Sequence, residues 1–158
     1  MCCDGTIFDR VPVVESDRAL PSLETFDLVK HGEALVFMQP CPAHCGSACM
    51  IYAERPQSCR NYRCRVLEQV LAGELGVAEA KALVTRARGA ADQVATLLQP
   101  GENLTGARRM WREKRDFWRE NPEFYLLMAA LNLTLDKHFL HDGQQFMLTD
   151  HMPSAASE

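Results

Sequence analysis

The sequence predicts an α+β protein, mostly α, in which a cysteine-rich N-terminal segment of loops and a hairpin packs on about four C-terminal helices. Three observations lead there. All seven cysteines lie at or before residue 64. Turn-forming Pro and Gly and short β-prone stretches fill the same region, and after about residue 65 the chain turns to Ala, Leu, Arg and Glu in helical rhythm. With 158 residues, 47% of them hydrophobic, it can bury a core without covalent staples. One domain is expected over residues 1–150, with a cysteine-bearing segment at 1–64, a helical part at 65–141 and a mobile tail at 151–158.

The elements follow in order. "ESDRALPSL" can start a short helix capped by Ser16 and limited by Pro21. "TFDLVKHGEALVFMQ" reads as a hairpin, with "FDLVK" and "ALVFMQ" as strands and Gly32 in the turn. "YRCRVLEQVLAGEL" sets Val66, Leu67, Val70, Leu71 and Leu75 along one stripe of an amphipathic helix. A second helix is predicted in "VAEAKALVTRARGAADQVATLLQ", ended by Pro100 and Gly101, and a third in "NLTGARRMWREKRDFWRE". Asn121 and Pro122 make an N-cap and first residue for a fourth. Along it Phe124, Leu127, Met128, Leu131, Leu135 and Phe139 recur at spacings of three and four, and "MPSAASE" forms the tail.

Composition narrows the function. No run of eighteen apolar residues occurs and the first twenty residues hold six charges, so neither a membrane span nor a secretory core is expected and the protein reads as soluble and cytoplasmic. The net charge of −4 gives no basic excess for nucleic acid. In a reducing compartment, clustered cysteines bind metal or do redox chemistry more often than they form disulfides, and an odd count would leave one thiol over.

Five cysteines crowd into "CPAHCGSACMIYAERPQSCRNYRC", spaced C-x3-C-x3-C-x9-C-x4-C, with Cys2 and Cys3 far upstream. Pro40, Pro42 and Gly46 argue against a helix through Cys41, Cys45 and Cys49, so an irregular loop is expected. Cys59 and Cys64 would stand about 140° apart on a continuous helix, at roughly 100° per residue. To share a site the chain must turn between them, near Asn61, leaving Cys64 in the first turn of the next helix. There the helix dipole and Arg60, Arg63 and Arg65 would favour its thiolate.

Taken together, "CCDGTIFDRVPV", "FMQPC", "CMIYAERPQSCRNYRC" and "AGELGVAEA" resemble the YkgJ-type cysteine-cluster family, described as zinc- or iron-chelating domains, over about half the chain. "FYLLMAALNLTLDKHFL" is similar, more loosely, to the tail of some members. The resemblance implies a metal-binding protein that chelates zinc or iron, with an iron-sulfur cluster as one form of the centre. It puts Cys3, Cys41, Cys49, Cys59 and Cys64 on the cluster positions, with Cys2 completing the doublet and Cys45 additional. Members carry a further C-x-x-C-G before the doublet, where this sequence starts at Met1. Four thiolates close one zinc tetrahedrally, so a fifth ligand leans towards a cluster or two ions. Two other classes stay open: a cluster-dependent redox or methyl-transfer enzyme, as in a related flagellin lysine methylase, and a structural zinc module for protein interaction.

Around the cluster, Arg55 is a candidate donor to sulfur or loop carbonyls, or else the partner of Glu54 or another carboxylate. Tyr52 is expected in the core. His44 is a possible ligand in "CPAHC" but more ordinarily a solvated loop side chain. His138 and His141, three apart on the last helix, read as surface residues, and His31 as an exposed turn residue. The mixed charges of "ARRMWREKRDFWRE" favour a solvated helix with its aromatic edge in the core.

Overall fold

The structure is a computed structural model that describes residues 1–113, 120–144 and 146–147. The stretch 114–119 of the expected third helix, with Phe117 and Trp118, and the expected tail at 151–158 lie outside the described residues. The fold is α+β and mostly α, 49% helical and 12% strand among the described residues. The chain divides into two compact units, Met1–Tyr62 with Asn103–Gly106, and Arg63–Glu102 with the chain from Ala107 onward. No helix among the described residues is long and apolar enough to cross a membrane.

The first unit is built on a three-stranded antiparallel sheet, β1 (Arg10–Val13), β2 (Leu28–His31) and β3 (Ala34–Met38), in the order β1-β3-β2. The expected hairpin is β2 and β3. His31 pairs with Ala34 across a two-residue loop, and Gly32 takes φ 58°, as the first position of a II′ turn requires. Strand β1 holds Pro12, which is tolerable because β1 is an edge, and its outer carbonyl at Pro12 accepts a 2.7 Å hydrogen bond from the Ser58 hydroxyl. Val11, Val13, Leu23, Phe26 and Phe37 form the apolar core, with the Phe26 and Phe37 rings edge to face at 5.0 Å.

Three expectations in this unit are corrected. "ESDRALPSL" forms two 3-10 turns, Glu15–Asp17 and Pro21–Leu23, and Ser16 lies inside the first instead of capping a helix, its hydroxyl 3.3 Å from the Gln57 side chain. The 41–49 stretch is not wholly irregular. It holds a minimal ribbon, β4 (His44–Cys45) and β5 (Ala48–Cys49), closed by Gly46 at φ 60°. Tyr52 is 66% exposed, because it belongs to a 3-10 turn on the surface.

The predicted helix from Tyr62 is shorter and later than its stripe implied. A separate five-residue helix, α1 (Gln57–Asn61), comes first; Tyr62 is extended (φ −68°, ψ 128°), and α2 (Arg65–Leu71) follows. Of the expected stripe only Val66 is buried, whereas Leu67 and Leu71 are exposed, since α2 is too short to lay a full face on a neighbour.

The second unit contains α2, α3 (Val77–Ala95), α5 (Pro122–His138) and most of α4 (Leu104–Glu113). Asn103 caps α4 by accepting the Gly106 N–H at 2.9 Å. Helix α3 packs on α5 through Ala80, Ala87, Ala91 and Val94, small enough for close approach. The facing stripe on α5 follows the predicted spacing: Phe124, Met128, Leu131, Leu135 and, just past its end, Phe139 are buried, while Leu127 is half-buried. Pro122 opens α5, while Asn121 precedes it without a side-chain cap. Between α4 and α5, Arg108 is only 5% exposed; its Nε donates to Asn132 at 3.1 Å and its guanidinium lies 4.0 Å from the Phe146 ring centre. Trp111 is half-buried beside Tyr125, with its indole N–H donating to the Tyr125 carbonyl at 3.3 Å.

Candidate metal centre

Each cysteine of the first unit reaches its place by a local device. The 1–8 loop folds back on itself, with the Thr6 N–H bonded to Asp4 at 2.8 Å and the Ile7 N–H to the Met1 carbonyl at 3.2 Å. Gly5 permits that turn: its φ is 84°, and a Cβ there would stand 2.6 Å from the Thr105 hydroxyl. The Cys41 N–H then donates to the Cys3 carbonyl at 2.7 Å, tying the doublet to the chain that leaves β3.

Cys49 and Cys45 are separated by the pleat of the ribbon. His44 lies opposite Cys49 and Cys45 opposite Ala48, so successive residues face opposite ways, leaving Cys49 half-buried and Cys45 exposed. Cys59 is delivered by α1, whose first N–H, at Gln57, is held at 3.0 Å by the buried carboxylate of Asp17. The Tyr62 ring meets Phe8 edge to face at 4.5 Å, locking the end of α1 to the loop that carries Cys3.

These devices gather Cys3, Cys41, Cys49 and Cys59. Cys41 is in the apolar core of the unit, and Cys3 and Cys59 pack against that core. All six pairs among the four thiols are close enough for one thiolate to oppose another. Burial, reinforced by Cys49, raises the Cys3 thiol, and burial raises Cys41. Cys59 is pushed up to about 12, by burial first and then by Cys3, Cys41 and Cys49. Arg55 acts the other way on Cys3 and Cys59.

The remaining candidates stand elsewhere. Cys2 and Cys45 are exposed. Cys64 belongs to the second unit, in the N-cap position of α2. Two of the arginines expected near it serve carbonyls: Arg65 donates to Lys137 at 2.6 Å and to Leu140 at 3.3 Å, and Arg60 to Arg55 at 2.7 Å. His141 is beyond α5, not on it; its Nε2 lies 2.9 Å from the Arg63 carbonyl and 3.7 Å from Glu68. His138 ends α5, its pKa lowered by burial and by Lys137, Arg86 and Arg65, and His31 is exposed. Asp17, Phe8 and Tyr62 were not singled out from the sequence, because their partners are distant along the chain.

Chemically, four thiols from four segments suit a soft or borderline cation, which would replace mutual repulsion by shared attraction. None of the seven cysteines is in a disulfide. Among the described residues no group of three or more His, Cys, Asp or Glu side chains stands ready to hold an ion. The two observations differ in range: charge acts across several ångströms, whereas coordination requires contact. The four thiols are therefore within electrostatic range of one another but do not form a closed coordination shell. By its chemistry, a set of four thiols would fit zinc or iron. The class so defined is a small α+β protein with four neighbouring thiols, one buried and three half-buried, in its N-terminal unit. Comparison with family models, curated proteins and solved structures found no match to this chain.

Proposed function

We propose that this is a metal-binding protein of the reducing cytoplasm that chelates zinc or iron, the latter including an iron-sulfur cluster, through Cys3, Cys41, Cys49 and Cys59. The observation that carries the reading is the mutual electrostatic proximity of four thiols, Cys41 buried and the other three half-buried, delivered by four different segments. Inert core cysteines need no such convergence. Thiols packed only as hydrophobes would be scattered among the core residues of both units, whereas no cysteine occurs after Cys64. The YkgJ-type resemblance of "CMIYAERPQSCRNYRC" points the same way. Four thiolates suffice for one tetrahedral zinc or one cluster, so Cys2, Cys45 and Cys64 are not needed for the site. When bound, the metal would offset half the charge of the thiolates and cross-link the doublet loop, the post-β3 turn, β5 and α1; the chain's part is to bring and orient the sulfurs.

The test is metal content. Protein expressed anaerobically in zinc- and iron-replete medium is expected to carry about one centre per chain, colourless if zinc, brown with acid-labile sulfide if a cluster. Cys59→Ser should lose it and Cys45→Ser, on the outer face of the ribbon, should keep it. Folded wild-type protein free of both metals would refute the reading.

A further inference from the structure

We infer that Arg55 is a positioning residue for the thiolate centre, its Nε–H kept as a donor to cluster sulfur and its guanidinium offsetting the negative charge of four thiolates. The inference rests on the metal-binding reading above and goes beyond it by assigning the group that makes the site tolerate its own charge. Sequence alone left Arg55 between this role and an ion pair with a neighbouring carboxylate. In the structure no carboxylate among the described residues pairs with it. Its Nε is buried and has no hydrogen-bond partner. A buried, unpaired guanidinium N–H is costly unless an acceptor is provided, and Cys3 and Cys59, which feel the charge of Arg55, would offer anionic sulfur once ionised.

One contact holds the guanidinium and two features hold the Arg55 backbone. The guanidinium carbon lies 3.9 Å from the centre of the exposed Tyr52 ring. The Arg55 carbonyl accepts Arg60 Nε at 2.7 Å. Pro56, fully buried, fixes the residue before it in the extended conformation observed, φ −63° and ψ 148°. The charge reaches both Cys3 and Cys59, so one arginine serves two segments of the site. A divalent ion on four thiolates carries a net charge of −2, as does a doubly charged cluster, and a fixed cation beside it lowers the cost of burying that charge.

The experiment titrates purified metal-free protein with Co(II) and Zn(II) against a chromophoric chelator, reading affinity, stoichiometry and the sulfur-to-cobalt charge-transfer band. Arg55→Gln is expected to weaken binding by about 10–100-fold at unchanged stoichiometry. Arg55→Lys, which keeps the charge but not the planar donor, should recover part of the loss with a wild-type band. If Arg55→Gln loses its helical circular dichroism, the comparison passes to Tyr52→Ala, which unclamps the guanidinium from the surface and should weaken binding in the same direction. Wild-type affinity in Arg55→Gln, or in Tyr52→Ala where that variant is used, overturns the role of Arg55 while leaving metal binding intact. Failure of the wild-type chain to take up either ion overturns the metal reading itself, and the role of Arg55 with it.

Discussion

A thiol in the tetrathiol site resists ionisation. Burial, and behind it Cys3, Cys41 and Cys49, puts the Cys59 thiol at about 12, against about 8.5 for a free one. Below the free value both folded and unfolded chains keep the proton, and the stabilising contribution is fully present. As pH rises from there through the folded value, the unfolded chain gives up its proton first and stability falls. Metal-free protein, kept reduced, is therefore expected to unfold at progressively lower urea concentration above about pH 8.5, and Cys59→Ala to lose less over the same window; a flat profile for the wild type would contradict the burial. The proposed metal binding would carry the opposite demand. The bound form needs thiolate, so affinity should drop as pH falls and each loading event should release protons. The same residues that make the metal-free site comfortable at neutral pH make it pH-dependent as a ligand set.

At the scale of elements, α1 is the part most dependent on distant help. Five residues form barely more than one helical turn and are marginal alone. Asp17 holds the α1 start through the Gln57 N–H, Ser58 ties it to β1, and the Tyr62–Phe8 ring pair closes its end. Asp17→Ala is expected to cost about 1–2 kcal/mol in urea unfolding and to weaken metal uptake, because Cys59 rides on this helix. Unchanged stability together with unchanged metal affinity would show that α1 holds without the cap. None of this was legible in "RPQSCRNY", where a buried carboxylate forty residues upstream leaves no local trace. The β2–β3 hairpin, by contrast, was readable, since alternation and Gly32 sufficed, and so was the α5 stripe from Phe124 to Phe139. Helix α2 misled because Leu67 and Leu71 keep helical spacing while facing solvent; periodicity reports a face, not what covers it. The ribbon at 44–49 was hidden by its length, two residues a side, and only its register explains why Cys45 differs from Cys49.

For the whole molecule, the division after Tyr62 falls close to the change of composition near residue 65. The first unit has modest secondary structure and a core to which the thiols themselves contribute. The second has its own apolar core, made by α3 against α5, and a buried Arg108–Asn132 pair. Cysteine placement was legible as a cluster, and the resemblance supplied candidate positions. What spacing could not give was which thiols converge, because that depends on the fold-back at Gly5, the ribbon pleat and the docking of α1. Metal would accordingly act on the first unit as a cross-link of four segments, in place of the larger apolar core that its length does not provide.

X-ray absorption at the zinc or iron edge of the loaded protein reads the atoms around the bound metal directly. A shell of sulfur alone in the wild type, with zinc at four sulfurs near about 2.3 Å and one sulfur replaced or the metal lost in Cys59→Ser, is the result expected. A shell dominated by nitrogen and oxygen, or a spectrum indifferent to Cys59, would contradict the tetrathiol site.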